Sequence, residues 1–76
     1  MNWETLKHIY RKVLIYKNTI RYDGDDRYTL TSYYPNGKKH LEIEYQNGQP
    51  HGKGIGWYKN GNKWWETEWQ NGKRII

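Results

Sequence analysis

The sequence predicts a mainly β fold: a single-layer antiparallel meander of about five strands, preceded by a short N-terminal amphipathic helix. Three observations carry that prediction. Asn-Gly recurs at 36–37, 47–48, 60–61 and 71–72, and Asp23-Gly24 extends the series upstream. The spacings alternate between 11 and 13, so the unit is 24 residues long. Laid on each other, Tyr34–Gly48 and Tyr58–Gly72 agree at nine of fifteen positions, with aromatic exchanges at Tyr33/Trp57 and Tyr45/Trp69. Between the turn dipeptides the apolar residues recur with period two, the signature of half-buried strands.

Each element follows in chain order. Trp3, Leu6, Ile9, Tyr10 and Val13 recur at helical steps, with Glu4, Lys7, His8 and Arg11 opposite and Asn2 placed as N-cap. This predicts a helix over about 3–12 whose apolar face packs on the sheet. The rival reading makes Ile9–Tyr16 one β-branched strand, because short apolar runs fit both forms. Residues 14–22 and 27–34 read as strands of a degenerate first repeat, in which Ile20-Arg21-Tyr22-Asp23-Gly24 echoes Ile43–Gly48 with one residue missing. In Lys39–Gln46, Leu41, Ile43 and Tyr45 alternate with His40, Glu42, Glu44 and Gln46. In Lys53–Tyr58, Ile55 and Trp57 alternate with Gly54, Gly56 and Tyr58. In Lys63–Gln70, Trp65, Thr67 and Trp69 alternate with Trp64, Glu66 and Glu68. Each Asn-Gly supplies two neighbouring residues that tolerate positive φ, as a tight type I′ reversal requires. The chain is one domain: helix over 1–13, degenerate repeat over 14–32, regular repeats over 33–76.

Length and composition bound the rest. A chain of 76 residues buries only roughly 60–65% of its unfolded surface. Cys, Ala and Phe are absent, and the apolar mass lies in five Trp, eight Tyr and a modest set of Ile, Leu and Val. No disulfide or thiolate metal site is available. No apolar run approaches the ~20 residues of a membrane span, and the N-terminus lacks the apolar core of a signal peptide. A cytoplasmic location is expected. The net charge is +5, but residues 1–22 hold Lys7, Arg11, Lys12, Lys17 and Arg21 against Glu4 alone, a net +4. The repeats are close to neutral, which argues against a basic stripe for nucleic acid along the sheet.

The run Tyr45-Gln46-Asn47-Gly48-Gln49-Pro50-His51-Gly52-Lys53-Gly54, continuing to Trp57-Tyr58-Lys59-Asn60-Gly61, resembles the MORN repeat, in the form found in small bacterial repeat proteins often labelled antitoxins. The resemblance covers residues 33–72 well and 14–32 weakly, where Asp25-Asp26-Arg27-Tyr28 stands in place of Gln49-Pro50-His51-Gly52. It implies an elongated single-layer antiparallel sheet that serves as a scaffold or protein-binding module, acidic-lipid binding having been credited to some members. It brings no catalytic residues and no cofactor.

The residues offer little for catalysis. Ser32 is the sole Ser, and no Cys exists. Glu42 with Glu44 and Glu66 with Glu68 lie i, i+2 on strands, and their Lys neighbours suit a solvated, charge-paired face better than a glycosidase cleft. His40 and His51 lack metal-ligand spacing, and Asp23-Gly24-Asp25-Asp26 reads as a turn rather than a cation loop. Gly52, Gly54 and Gly56 read as space for rings lying over the backbone, or as a bulge.

Function is expected to lie in surface. Tyr33, Tyr45, Trp57, Trp65 and Trp69 are expected to line one aromatic face, too large for a ten-residue helix, about 15 Å long, to cover. Exposed Trp and Tyr are the commonest interface anchors. The expected activity is non-enzymatic: occluding or scaffolding a partner protein, or self-association. A Lys-, Asn-, Tyr- and Ile-rich chain without Ala suggests an AT-rich coding source, as in many phages. An inhibitor of a host or defence protein, or an antitoxin, is one specific version. A second reading has Lys7, Arg11, Lys12, Lys17 and Arg21 meeting phosphates while aromatic rings stack bases. A third places the basic helix on an anionic membrane.

Overall fold

The computed structural model describes residues 2–75. Helix α1 (Trp3–Ile9) runs directly into a π-helical segment (Tyr10–Ile15). Six strands follow: β1 (Thr19–Gly24), β2 (Arg27–Tyr33), β3 (Lys39–Gln46), β4 (Gln49–Trp57), β5 (Lys63–Gln70) and β6 (Lys73–Arg74). They form one antiparallel sheet in sequence order. The molecule is a slab of 37 × 29 × 17 Å. The expected meander is present, with a two-residue sixth strand extended by Ile75 N–H donating to the Glu68 carbonyl at 2.9 Å.

The N-terminus differs from expectation in length. Asn2 caps α1 as predicted, its side-chain oxygen accepting from Thr5 N at 2.8 Å. The helix does not stop near residue 12. The Tyr16 amide reaches back five residues to the Arg11 carbonyl at 3.2 Å, the π pattern. Lys17 then turns left-handed at φ 61, and its ammonium donates to the Leu14 carbonyl. Residues 10–15 are thus helical, and the strand alternative for Ile9–Tyr16 is overturned. The first strand starts at Thr19 rather than 14.

Two kinds of turn alternate where one was expected. At Asn47-Gly48 and Asn71-Gly72 both residues are left-handed, with Asn φ of 54 and 52. These are the tight reversals that the dipeptide predicts. At 36–37 and 60–61 only the glycine is left-handed. There Gly37 N donates to the Tyr34 carbonyl and Gly61 N to the Tyr58 carbonyl, each at 2.9 Å. The Asn36 and Asn60 side chains accept from Lys38 N and Asn62 N, also at 2.9 Å. Local Asx bonding of this kind stabilises an ordinary turn. The first hairpin turns at Asp25-Asp26, with φ of 53 and 60, rather than at Asp23-Gly24. A bulge between Tyr22 and Gly24 absorbs the missing residue.

The register fixes the faces. Leu30, Ile43, Gly54 and Thr67 are cross-strand partners across β2 to β5. Thr31, Glu42, Ile55 and Glu66 form the adjacent row, on the opposite face. Helix α1 lies over the first face, above β2 and β3. Beneath it are the best-buried apolar side chains, Tyr28 at 1% and Leu30 at 3% exposure. Asn2 N donates to Asp26 Oδ1 at 2.7 Å and the Asn2 amide bonds Asn47, so two hairpin turns hold the start of the helix.

Candidate interaction surface

The structure divides the five residues expected on one aromatic face. Tyr45, Trp65 and Trp69 share the helix side of the sheet. Trp57 continues the Ile55 row, and Ile55 is opposed to Glu42 and Glu66, so Trp57 lies on the other side. Lys39 Nζ sits 5.7 Å from its ring centroid. Tyr33 follows Ser32, the helix-side partner of Leu41, across a bulge, and so joins Trp57. The expectation failed because Trp57 and Trp65 sit at different phases of their strands: Gly56, not Trp57, is opposite Trp65.

The helix-side rings are half-buried and packed. Tyr45 stacks on Tyr28 with centroids 5.6 Å apart. His8 packs 4.5 Å from Tyr45, and its Nδ1 shares a 2.7 Å hydrogen bond with the Tyr28 hydroxyl. Burial pushes the Tyr28 hydroxyl up to about 12 and raises Tyr45 in the same direction. Burial, and then Lys12 and Arg11, lower the His8 pKa and favour the neutral ring. Trp65 and Trp69 meet edge to face at 6.1 Å. Their indoles lie over Gly56 and Gly54, where a Cβ would collide with them. Gly54 and Gly56 therefore act as ring seats, as the sequence predicts, whereas Gly52 is left-handed at φ 107 and lies under the Glu44 side chain instead of a ring.

The five basic residues are mostly engaged locally. Lys17 caps Leu14, and Lys12 Nζ lies 5.3 Å from the Tyr16 ring centroid. Arg21 bonds Asp23 and the Thr29 hydroxyl, each at 3.2 Å. Lys7 is 3.5 Å from Glu4, in an exposed pair, while Arg11 has no acidic partner among the described residues. The carboxylates are also committed. Glu42 pairs with Lys39 and Glu66 with Lys63, each at 3.0 Å, and the Lys63 bond lowers the Glu66 pKa. Glu44 accepts from Lys53 N at 3.0 Å. His51 Nδ1 accepts from Asn71 N at 3.1 Å, and His40 packs on Tyr34. Among the described residues no cluster of three potential metal ligands occurs.

The feature that sequence reasoning missed is on the helix. Three of its five expected buried residues point outward, Trp3 at 65%, Leu6 at 48% and Tyr10 at 59% exposure, with Leu14 continuing the row at 56%, whereas Ile9 and Val13 are half-buried. The side chains facing the sheet are Thr5, fully buried, and His8. The sheet beneath presents the Tyr28 and Tyr45 rings, against which His8 packs while its Nδ1 shares a hydrogen bond with the Tyr28 hydroxyl. Nothing in the sequence announces this: Trp3, Leu6, Ile9, Tyr10, Val13 and Leu14 share one arc of the helix and Glu4, Lys7, His8 and Arg11 the other, the pattern of a helix that docks by its apolar face. A groove of about 720 Å³ runs beside the row, lined in part by Trp3, Leu6, Lys7, Tyr10, Arg11 and Gly48. No helix among the described residues is long and apolar enough to cross a membrane.

A scan against protein-family models, a search of curated proteins and a search of solved structures each found no match.

Proposed function

We propose that this chain is a non-enzymatic interaction module, a MORN-like scaffold that acts by covering part of a partner protein. The observation that carries the reading is the outward apolar row Trp3, Leu6, Tyr10 and Leu14, about half exposed or more on a thin sheet. Contiguous exposed apolar surface rimmed by polar groups marks an interaction site, and Trp and Tyr are its usual anchors. The repeat sheet then serves as a rigid base for the helix, with inhibition of the partner by occupancy as the simplest outcome. Nucleic-acid binding has less support, because Lys12, Lys17 and Arg21 already hold local structure.

The test is affinity capture from a nuclease-treated lysate of the source organism, comparing the native chain with a Leu6→Gln/Tyr10→Gln variant. A protein retained by the native chain and lost from the variant is the expected result. Equal retention by both, or retention seen only when the nuclease treatment is omitted, overturns the reading.

A further inference from the structure

Building on the interaction-module reading, we infer that the groove beside α1 accepts an acidic segment of a partner protein, its carboxylates meeting Lys7 and Arg11 and an apolar side chain lying on Trp3 and Tyr10. Three features of the site select this occupant.

The first is charge. Lys7, Arg11 and Glu4 all line the groove; Glu4, the sole acid within residues 1–22, pairs with Lys7, so the site keeps one net positive charge, with Arg11 unmatched. Arg11 offers a guanidinium with no acidic partner among the described residues, and its planar fork matches a carboxylate in bidentate geometry. The second is self-repulsion. Two copies meeting helix to helix bring Lys7, Arg11 and Lys12 of each, offset only by Glu4, within the roughly 8 Å over which physiological salt leaves charges unscreened. A second copy is therefore a poor occupant. The third is shape. Trp3, Tyr10 and the turn glycine Gly48 wall a concavity of about 720 Å³, which receives a protruding chain segment. A bilayer surface offers no such protrusion, and a phosphate backbone, with a charge on every nucleotide, would meet only two cations.

A random-peptide library displayed on phage is selected against the immobilised full chain, and enriched peptides are titrated against the native chain and variants. Peptides rich in Asp and Glu around one or two apolar residues are expected. A Trp3→Ala/Tyr10→Ala variant should bind them at least about tenfold more weakly. A Lys7→Glu/Arg11→Glu variant should weaken them by about three- to tenfold, mainly through the on-rate. Both pairs are exposed, and circular dichroism checks that each variant stays folded. Enriched peptides without acidic bias, or acidic peptides that bind all variants equally, overturn the inference while leaving the interaction-module reading standing. Failure of both the library and the lysate capture sinks the two together. Phosphatidylcholine vesicles enriched in phosphatidylserine and a mixed-sequence single-stranded oligonucleotide form the remaining arms. Binding of either that is lost in the Trp3→Ala/Tyr10→Ala variant, with no acidic peptide selected, reassigns the groove and overturns the proposal.

Discussion

Gly54→Ala tests how the sheet seats its indoles. Gly54 φ lies outside the left-handed region, so an alanine meets no backbone penalty there. Its methyl carbon, however, would fall 2.7 Å from Cη2 and 3.2 Å from Cε3 of Trp69. The ring cannot stay where it is. It is also held edge to face against Trp65, so displacement is passed to a second indole. Forcing a methyl into such a site costs about 1–3 kcal/mol. In a domain of this size that lowers Tm by roughly 4–8 °C for each kcal/mol. The assay is urea unfolding followed by tryptophan fluorescence, run as a double-mutant cycle with Trp69→Leu. In the Trp69→Leu background the smaller side chain leaves room, and Gly54→Ala should cost less than about 0.5 kcal/mol. A Gly54→Ala cost of that size in the native background, or an undiminished cost in the Trp69→Leu background, would refute the steric argument.

Other expectations follow from the same geometry. Stability should fall with acidity. His8 has a folded pKa lowered from 6.5, mainly by burial against Tyr28 and Tyr45 and then by Lys12 and Arg11. The unfolded chain therefore binds the proton more readily, and stability is lost as pH falls through 6.5 toward the folded value. Urea midpoints at neutral and mildly acidic pH measure this, and His8→Gln should flatten that part of the profile. Asn71→Ala places a methyl side chain at φ 52 and should cost about 1–2 kcal/mol, whereas Asn71→Gly should cost much less, both read by thermal melts. Leu6→Gln and Leu14→Gln should each change stability by less than about 0.5 kcal/mol, because both side chains already face solvent.

The meander was legible because its information is local. Asn-Gly fixes where the chain reverses, and strict alternation fixes which residues share a face within one strand. Gly54 and Gly56 could be read as ring seats for the same reason, since nothing else explains side-chain-free positions beside Trp-rich strands. Relations between elements were less legible. Trp57 was assigned to the face of Trp65 because aromatic type was followed across strands, whereas register aligns Trp65 with Gly56. The helix is rotated from its expected docking face, with Ile9 and Val13 half-buried but Trp3, Leu6 and Tyr10 outside, for a related reason. Amphipathicity says which residues are alike, but the surface beneath decides which side docks. The Tyr28 and Tyr45 rings take His8, and Trp3, Leu6 and Tyr10 are left to solvent. The π turn at Tyr10–Ile15 has no sequence signature that we can identify.

The orientation of the helix is where function and fold meet, and single-cysteine accessibility measures it directly. The chain has no native cysteine, so one introduced thiol reports alone. Leu6→Cys, Tyr10→Cys and Leu14→Cys should react with a thiol reagent at nearly the rate of an unstructured peptide, while Leu30→Cys should react only on unfolding. Protection at positions 6, 10 and 14 comparable to that at 30 would show the apolar row packed inside, leaving no docking surface on the helix.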